Sequence, residues 1–205
     1  MWEIGVMMRF SMALAGFILA ATPAAHALQF SQSGATLTLS GPIEAGDDHL
    51  LRSYLSRAGA SQIKLINLDS PGGMVYEAYK ISEIIRAAHL NTVVDANRAS
   101  CASACTTVFA GGVRRYYINA QSVVDGDTRN HGLGFHQASS WSGRVGERQY
   151  DYQGSSMMVA TFNEMGVPNA AKLIDKAKFR GLYRVSGQTA WSLGIATDLK
   201  LPHAE

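Results

Sequence analysis

The chain has 205 residues, of which 18 are basic, 16 acidic and 47% hydrophobic. That is enough for one domain with a sizeable core. A net charge of +2 is too mild to imply a nucleic acid or an acidic membrane surface as partner, and the sequence holds neither a low-complexity tract nor an internal repeat.

Residues 1–27 read as a signal peptide. Arg9 supplies a positive charge, residues 10–21 are apolar, and Ala25-His26-Ala27 has the small-x-small pattern of a cleavage site. The rival reading is a membrane anchor, but a spanning helix needs about 20 apolar residues, and Pro23 and His26 interrupt this run. Cleavage near Ala27 leaves residues 28–205 as one domain in the periplasm or outside the cell. The leader holds one acid, Glu3, and one base, Arg9, so its removal leaves the charge balance unchanged.

In chain order, residues 35–40 alternate as a strand and Gly41-Pro42 ends it. Asp47 is placed to cap a helix over residues 48–58, with Leu50, Leu51, Tyr54 and Leu55 on one face. Residues 62–68 form a second strand, a Pro-Gly-Gly turn follows, and residues 74–89 have helical apolar spacing. A third strand covers 92–96, and residues 104–109 open a buried helix ended by Gly111-Gly112. Short strands are expected at 115–118 and 133–136, with polar loops at 125–132 and 139–146. Helices follow from Gly154 or Ser155 to Met165, over 168–178, and from a cap at Ser186 to Leu193, with Gly194 closing the last. Strands alternating with helices imply an α/β domain with a largely parallel sheet. Such sheets place their sites at the carboxyl ends of strands.

Two such ends carry chemistry. Ser70-Pro71-Gly72-Gly73 follows the second strand, and Ser103 follows the third within Ala99-Ser100-Cys101-Ala102-Ser103-Ala104-Cys105. A serine hydroxyl needs a base and donors for the oxyanion that forms. The N–H of Ala104, at a helix mouth, and that of Gly73, in a backbone free to approach closely, are suited to the second task. His136 is suited to the first, because its ordinary pKa lies near neutrality. Taken singly, each piece has a plain alternative: a turn, a small residue at a helix start, a hydrogen-bonded structural histidine. Cys101 and Cys105 flank Ser103 symmetrically. Export and four-residue spacing favour a disulfide; the alternative is two small buried thiols. No histidine neighbours them at ligand spacing, so no zinc is expected.

These residues resemble the Clp protease proteolytic-subunit family, within the Clp/crotonase superfamily, and in particular its exported bacterial relatives, over residues 37–198. Ser70-Pro71-Gly72-Gly73 resembles the family's oxyanion loop, and Ser103 falls at the nucleophile of its Ala-Ser-Met-Gly turn. Gly112 stands where the family ends the following helix. His136-Gln137 resembles its His-Gln pair, and residues 185–190 with 194–198 resemble its closing helix and Gly-Leu-Val-Asp ending. The resemblance implies a single α/β domain built as a Clp/crotonase-like spiral of ββα units, and peptide-bond hydrolysis. It also implies homo-oligomerisation, since residues 154–165 fall where the family builds its assembly handle. Three departures stand out. The position of the family's triad aspartate is Leu182 here; Asp175 is the nearest upstream acid, with Tyr183 or a backbone carbonyl as alternatives for orienting His136. The family's glycine two residues past the nucleophile is Cys105, and a bridge to Cys101 could hold the turn that glycine otherwise permits. Residues 124–132 are an insertion beside the cleft.

The leading expectation is an exported serine peptidase acting on a peptide or protein through Ser103 and His136, with Gly73 and Ala104 as oxyanion donors and no cofactor or metal. No ATPase partner is expected, because the chain has no nucleotide motif and an exported protein meets no ATP. A binding or assembly module that has lost turnover is the second reading. Crotonase-like acyl-thioester chemistry is the third, and export argues against it.

Overall fold

The computed structural model describes residues 27–57, 62–127, 131–144 and 146–202. The expected signal peptide up to His26 lies outside the described residues.

The chain runs β1 (Gln29–Ser33), β2 (Thr36–Ser40), α1 (Asp47–Leu55), β3 (Leu65–Asp69), α2 (Val75–Ala87), β4 (Asn91–Asp95), β5 (Ser100–Ala102) and α3 (Cys105–Ala110). It continues with β6 (Arg115–Ile118), β7 (Gly132–Phe135), β8 (Ser139–Trp141), β9 (Arg148–Tyr150), α4 (Tyr152–Glu164), α5 (Ala171–Ile174), β10 (Tyr183–Arg184) and α6 (Gly187–Ser192). The larger sheet has the order β1-β2-β3-β4-β6 and is parallel except for the β1–β2 hairpin. The smaller sheet has the order β10-β7-β5, with β5 and β7 parallel.

Apolar residues recur every second position in β2 and β3, which places Leu37, Leu39, Ile66 and Leu68 in the core. Ile81 and Ile85 of α2, Val108 and Phe109 of α3, and Phe162 of α4 close over them. Each such side chain contributes about 1.5–3 kcal/mol on burial.

The two sheets meet where β3 ends. Ser70 N–H donates to Ser100 O at 2.6 Å, and Ala102 N–H donates to Ser70 O at 3.0 Å, so the chain leaving β3 pairs with β5. The Tyr117 hydroxyl makes a second joint: it donates to Val185 O at 3.0 Å and accepts from Leu133 N–H at 3.1 Å. Gly132 leaves room for it, since a side chain there would collide with the phenol oxygen.

Several expectations change. The polar segment over 139–146 enters a hairpin, β8–β9. The helix expected over 168–178 ends at Ile174, after a first turn of 3-10 type at Pro168–Ala170. The helix expected from Gly154 or Ser155 begins at Tyr152, because Asp151 caps it and accepts from Gly154 N–H at 2.9 Å. Asp47 is not a cap; Gly46 holds that position, and Asp47 accepts from Glu44 N–H at 2.7 Å. Ser186 does cap α6, accepting from Thr189 N–H at 3.2 Å.

Candidate active site

Ser103 leaves the end of β5. In the parallel β5–β7 pair Ala102 stands opposite Gly134, and Ser103 N–H continues the pairing to Gly134 O at 2.9 Å. His136 follows the last residue of β7. The hydroxyl and the imidazole therefore issue from the same ends of neighbouring strands, whose axes lie about 4.8 Å apart. The Ser103 hydroxyl and His136 Nε2 make no hydrogen bond to each other or to any other group among the described residues. Both are half-buried.

Ser103 has φ +54°, in the left-handed region. That region costs a residue with a Cβ about 1–2 kcal/mol. The turn lifts the hydroxyl out of the strand's path into α3. Thr106 supports it, with its N–H and its hydroxyl both donating to Ser103 O, at 2.9 and 2.6 Å. The Cys101–Cys105 disulfide, fully buried, spans it.

The Ser-Pro-Gly-Gly segment lies directly against this turn. A methyl at Gly72 would stand 2.8 Å from Ser103 Cβ and 3.0 Å from Ala104 N, so only a glycine lets the two backbones touch. Gly72 is held by its N–H to Ser70 Oγ at 3.1 Å and by its carbonyl accepting from Ile43 N–H at 2.9 Å. The N–H groups of Gly73 and Ala104 make no hydrogen bond among the described residues. Free main-chain donors of this kind can bind an oxyanion.

His136 Nδ1 lies 3.2 Å from Phe179 O. A carbonyl only accepts, so Nδ1 carries the hydrogen and Nε2 of the neutral ring keeps its lone pair. Burial, the largest influence, pushes the imidazole below its ordinary 6.5; the Phe179 carbonyl pulls it back, and the Arg148 charge pushes it down again. The outcome is a neutral base at neutral pH.

Asp175 is not the orienting acid. Its carboxylate accepts from Gln137 Nε2 at 3.1 Å, and the neighbouring Gln137 N–H donates to Ala177 O. The chain after α5 folds so that Phe179, not Asp175, meets the ring. A main-chain carbonyl leaves no side-chain signature, so the identity of this group could not be read from residue types. Tyr183 packs beside Gly126 instead.

Two open clefts flank the site. One of about 470 Å³ is lined by His136, Ala102, Phe179 and Leu182. The other, about 570 Å³, is lined by Gly73, Met74, Trp141, Arg148 and Met157. The β8–β9 hairpin forms a wall of the second. Among the described residues no three His, Cys, Asp or Glu side chains are grouped to hold a metal ion.

No protein-family model matches the chain. No curated protein matches it either. Solved structures do. The 1510-N membrane-bound stomatin-specific protease, as a serine-to-alanine mutant, superposes with a TM-score of 0.58 at 15% identity, covering 81% of this chain and 78% of that one. A lysine-to-alanine mutant of that protease in complex with a substrate peptide gives 0.56 at 15% identity, covering 81% and 74%. The ClpP protease catalytic domain from Plasmodium falciparum gives 0.54 at 16% identity, covering 83% and 87%. The strand order, the crossing of the two sheets and these superpositions together establish that the chain has the Clp protease-like α/β fold.

Proposed function

We propose that this protein is an exported serine hydrolase, acting on peptide bonds. Ser103 is the nucleophile, His136 the base, and the N–H groups of Gly73 and Ala104 bind the oxyanion. The observation that carries the reading is the close approach of Gly72 to the Ser103–Ala104 turn, where a Cβ at Gly72 would stand 2.8 Å from Ser103 Cβ and 3.0 Å from Ala104 N. It brings a left-handed serine and the free Ala104 N–H against the Gly72-Gly73 turn at the end of β5, beside the end of β7 from which His136 departs. Attack proceeds as Ser103 Oγ adds to the carbonyl carbon, its proton passes to His136 Nε2, and the carbonyl oxygen takes the charge between the two donors. The C–N bond then breaks as the proton is delivered to the leaving amine, and a water deprotonated by His136 cleaves the resulting Ser103 ester, releasing the acid and returning the proton to Ser103 Oγ. Phe179 O holds the imidazole through Nδ1 and accompanies the charged ring. Similarity to two proteases supports a peptide substrate. The leader over residues 1–27 supports release to the periplasm or beyond, and the apolar cleft wall supports binding of extended chain.

The test is a fluorophosphonate probe on the purified mature protein. Wild type is labelled, Ser103→Ala is not, and His136→Ala is slowed by about 10²–10⁴, the usual contribution of a general base. Labelling that survives Ser103→Ala overturns the assignment. The carbonyl that stands where a triad enzyme has a carboxylate favours a second reading, a binding module with little turnover. A folded wild type that takes no label selects that reading. Tight binding of coenzyme A would select acyl-thioester chemistry instead.

A further inference from the structure

We infer that the Cys101–Cys105 disulfide is a positioning element of the active site: it holds Ser103 and Ala104 in their working geometry, beyond any part it has in stability. This rests on the hydrolase reading above. The bridge closes a ring of five residues, Cys101-Ala102-Ser103-Ala104-Cys105. Inside that ring lie both the nucleophilic hydroxyl and one of the two free N–H donors. Outside it lie the anchors. Cys101 is paired with Leu133 in the smaller sheet and bridged to Ser70, and Cys105 is the first residue of α3.

The turn needs such a fastening for three reasons. A glycine would take φ +54° freely, but a nucleophile must have a side chain, so the left-handed conformation at Ser103 is maintained by its surroundings. The helix that follows has six residues, too few to be rigid by its own hydrogen bonds. The contacts within the turn, from Ser103 N–H to Gly134 O and from Thr106 of α3 to Ser103 O, link strand and helix through hydrogen bonds alone. The disulfide supplies that link covalently. Both sulfur-bearing residues are fully buried, so the link is shielded from solvent.

The experiment compares wild type with Cys101→Ala/Cys105→Ala. Fluorophosphonate labelling is followed over probe concentration, which separates the maximal rate from the half-saturating concentration. Loss of positioning lowers the maximal rate tenfold or more with little change in half-saturation, and the acid limb of the rate's pH profile stays where His136 sets it. A folded double variant that labels at the wild-type maximal rate overturns the inference while leaving the hydrolase reading intact. An unlabelled wild type overturns the hydrolase reading itself. Where the double variant does not fold, wild type unfolded in urea and refolded in excess dithiothreitol takes its place. There Cys101 and Cys105 each gain a hydrogen as two reductant thiols close to a cyclic disulfide, and a mass increase of two hydrogens verifies it. If neither form folds, the bridge serves stability alone and the inference fails.

Discussion

His136 shows how one contact sets a side chain's chemistry. Burial lowers its proton affinity, and the Phe179 carbonyl fixes which nitrogen carries the hydrogen. Its folded pKa lies below 6.5, so the ring stays a base as pH falls through that value and is lost only below it. The rate of probe labelling should accordingly keep its acid-limb midpoint under 6.5; a midpoint above 6.5 contradicts the assignment. Asp175 offers the contrast. Its carboxylate serves Gln137, so Asp175→Asn should label within twofold of wild type, whereas a tenfold loss would return it to the catalytic set. The side chains of the site were readable because serine after a strand, a Gly-Gly turn and a histidine at a strand end are residue types with few other combined uses. Phe179 was not, since it contributes only main chain. Asp125 lies in the polar stretch that reads as a loop, yet it accepts from Ser186 N–H at 2.7 Å and Thr189 Oγ1 at 2.6 Å and so fastens the start of α6.

Elements were legible in proportion to their apolar periodicity. β2, β3 and α2 announce themselves because one face of each is buried, and β4 because both of its faces are. β1 is polar and almost wholly exposed, β5 has only three residues, two of them buried, ahead of a helix, and β8 and β9 bury none of theirs; none is a long enough alternation to read. The Gly72 segment tests the close approach of two elements. Gly72→Ala places a Cβ 2.6 Å from Ala102 O at a residue with φ +95°. The conformation alone costs about 1–3 kcal/mol, and the collision pushes the Ser-Pro-Gly-Gly segment from Ser103. Both stability and labelling should fall; thermal unfolding with probe kinetics checks this, and an unchanged variant would refute the packing. Arg86 tests the other end of α3. Its guanidinium donates to the carbonyls of Ala110, Gly111 and Gly112, at 2.9, 2.9 and 3.3 Å, and to Met165 O at 3.0 Å. Arg86→Ala should destabilise by about 1.5–3 kcal/mol in urea unfolding, the usual range for hydrogen bonds to a charged group.

At the scale of the whole molecule, acid sensitivity follows from carboxylates held below their ordinary range, Asp95 and Asp125 among them. Burial would raise Asp95, but hydrogen bonds from Asn119, Asn97 N–H and Arg98 outweigh it and hold it below 3.8. Burial would raise Asp125 too, and the bonds from Ser186 and Thr189 again prevail. A depressed folded pKa means stability that is complete above the ordinary 3.8 and drains away as pH drops through the lower folded value. Urea midpoints should therefore decline below pH 3.8, and Asp125→Ala should make that decline shallower. The buried phenol of Tyr117 has a further consequence. Burial pushes its pKa up to about 12, so it stays protonated and keeps both of its bonds, to Leu133 N–H and Val185 O, in any ordinary medium. One oxygen atom thus rivets the plate that bears the core to the plate that bears the Ser103 turn. Shaving it off in Tyr117→Phe would strand a main-chain donor and an acceptor in the dry interior, and the seam between the plates would become the first place where amide deuterium enters.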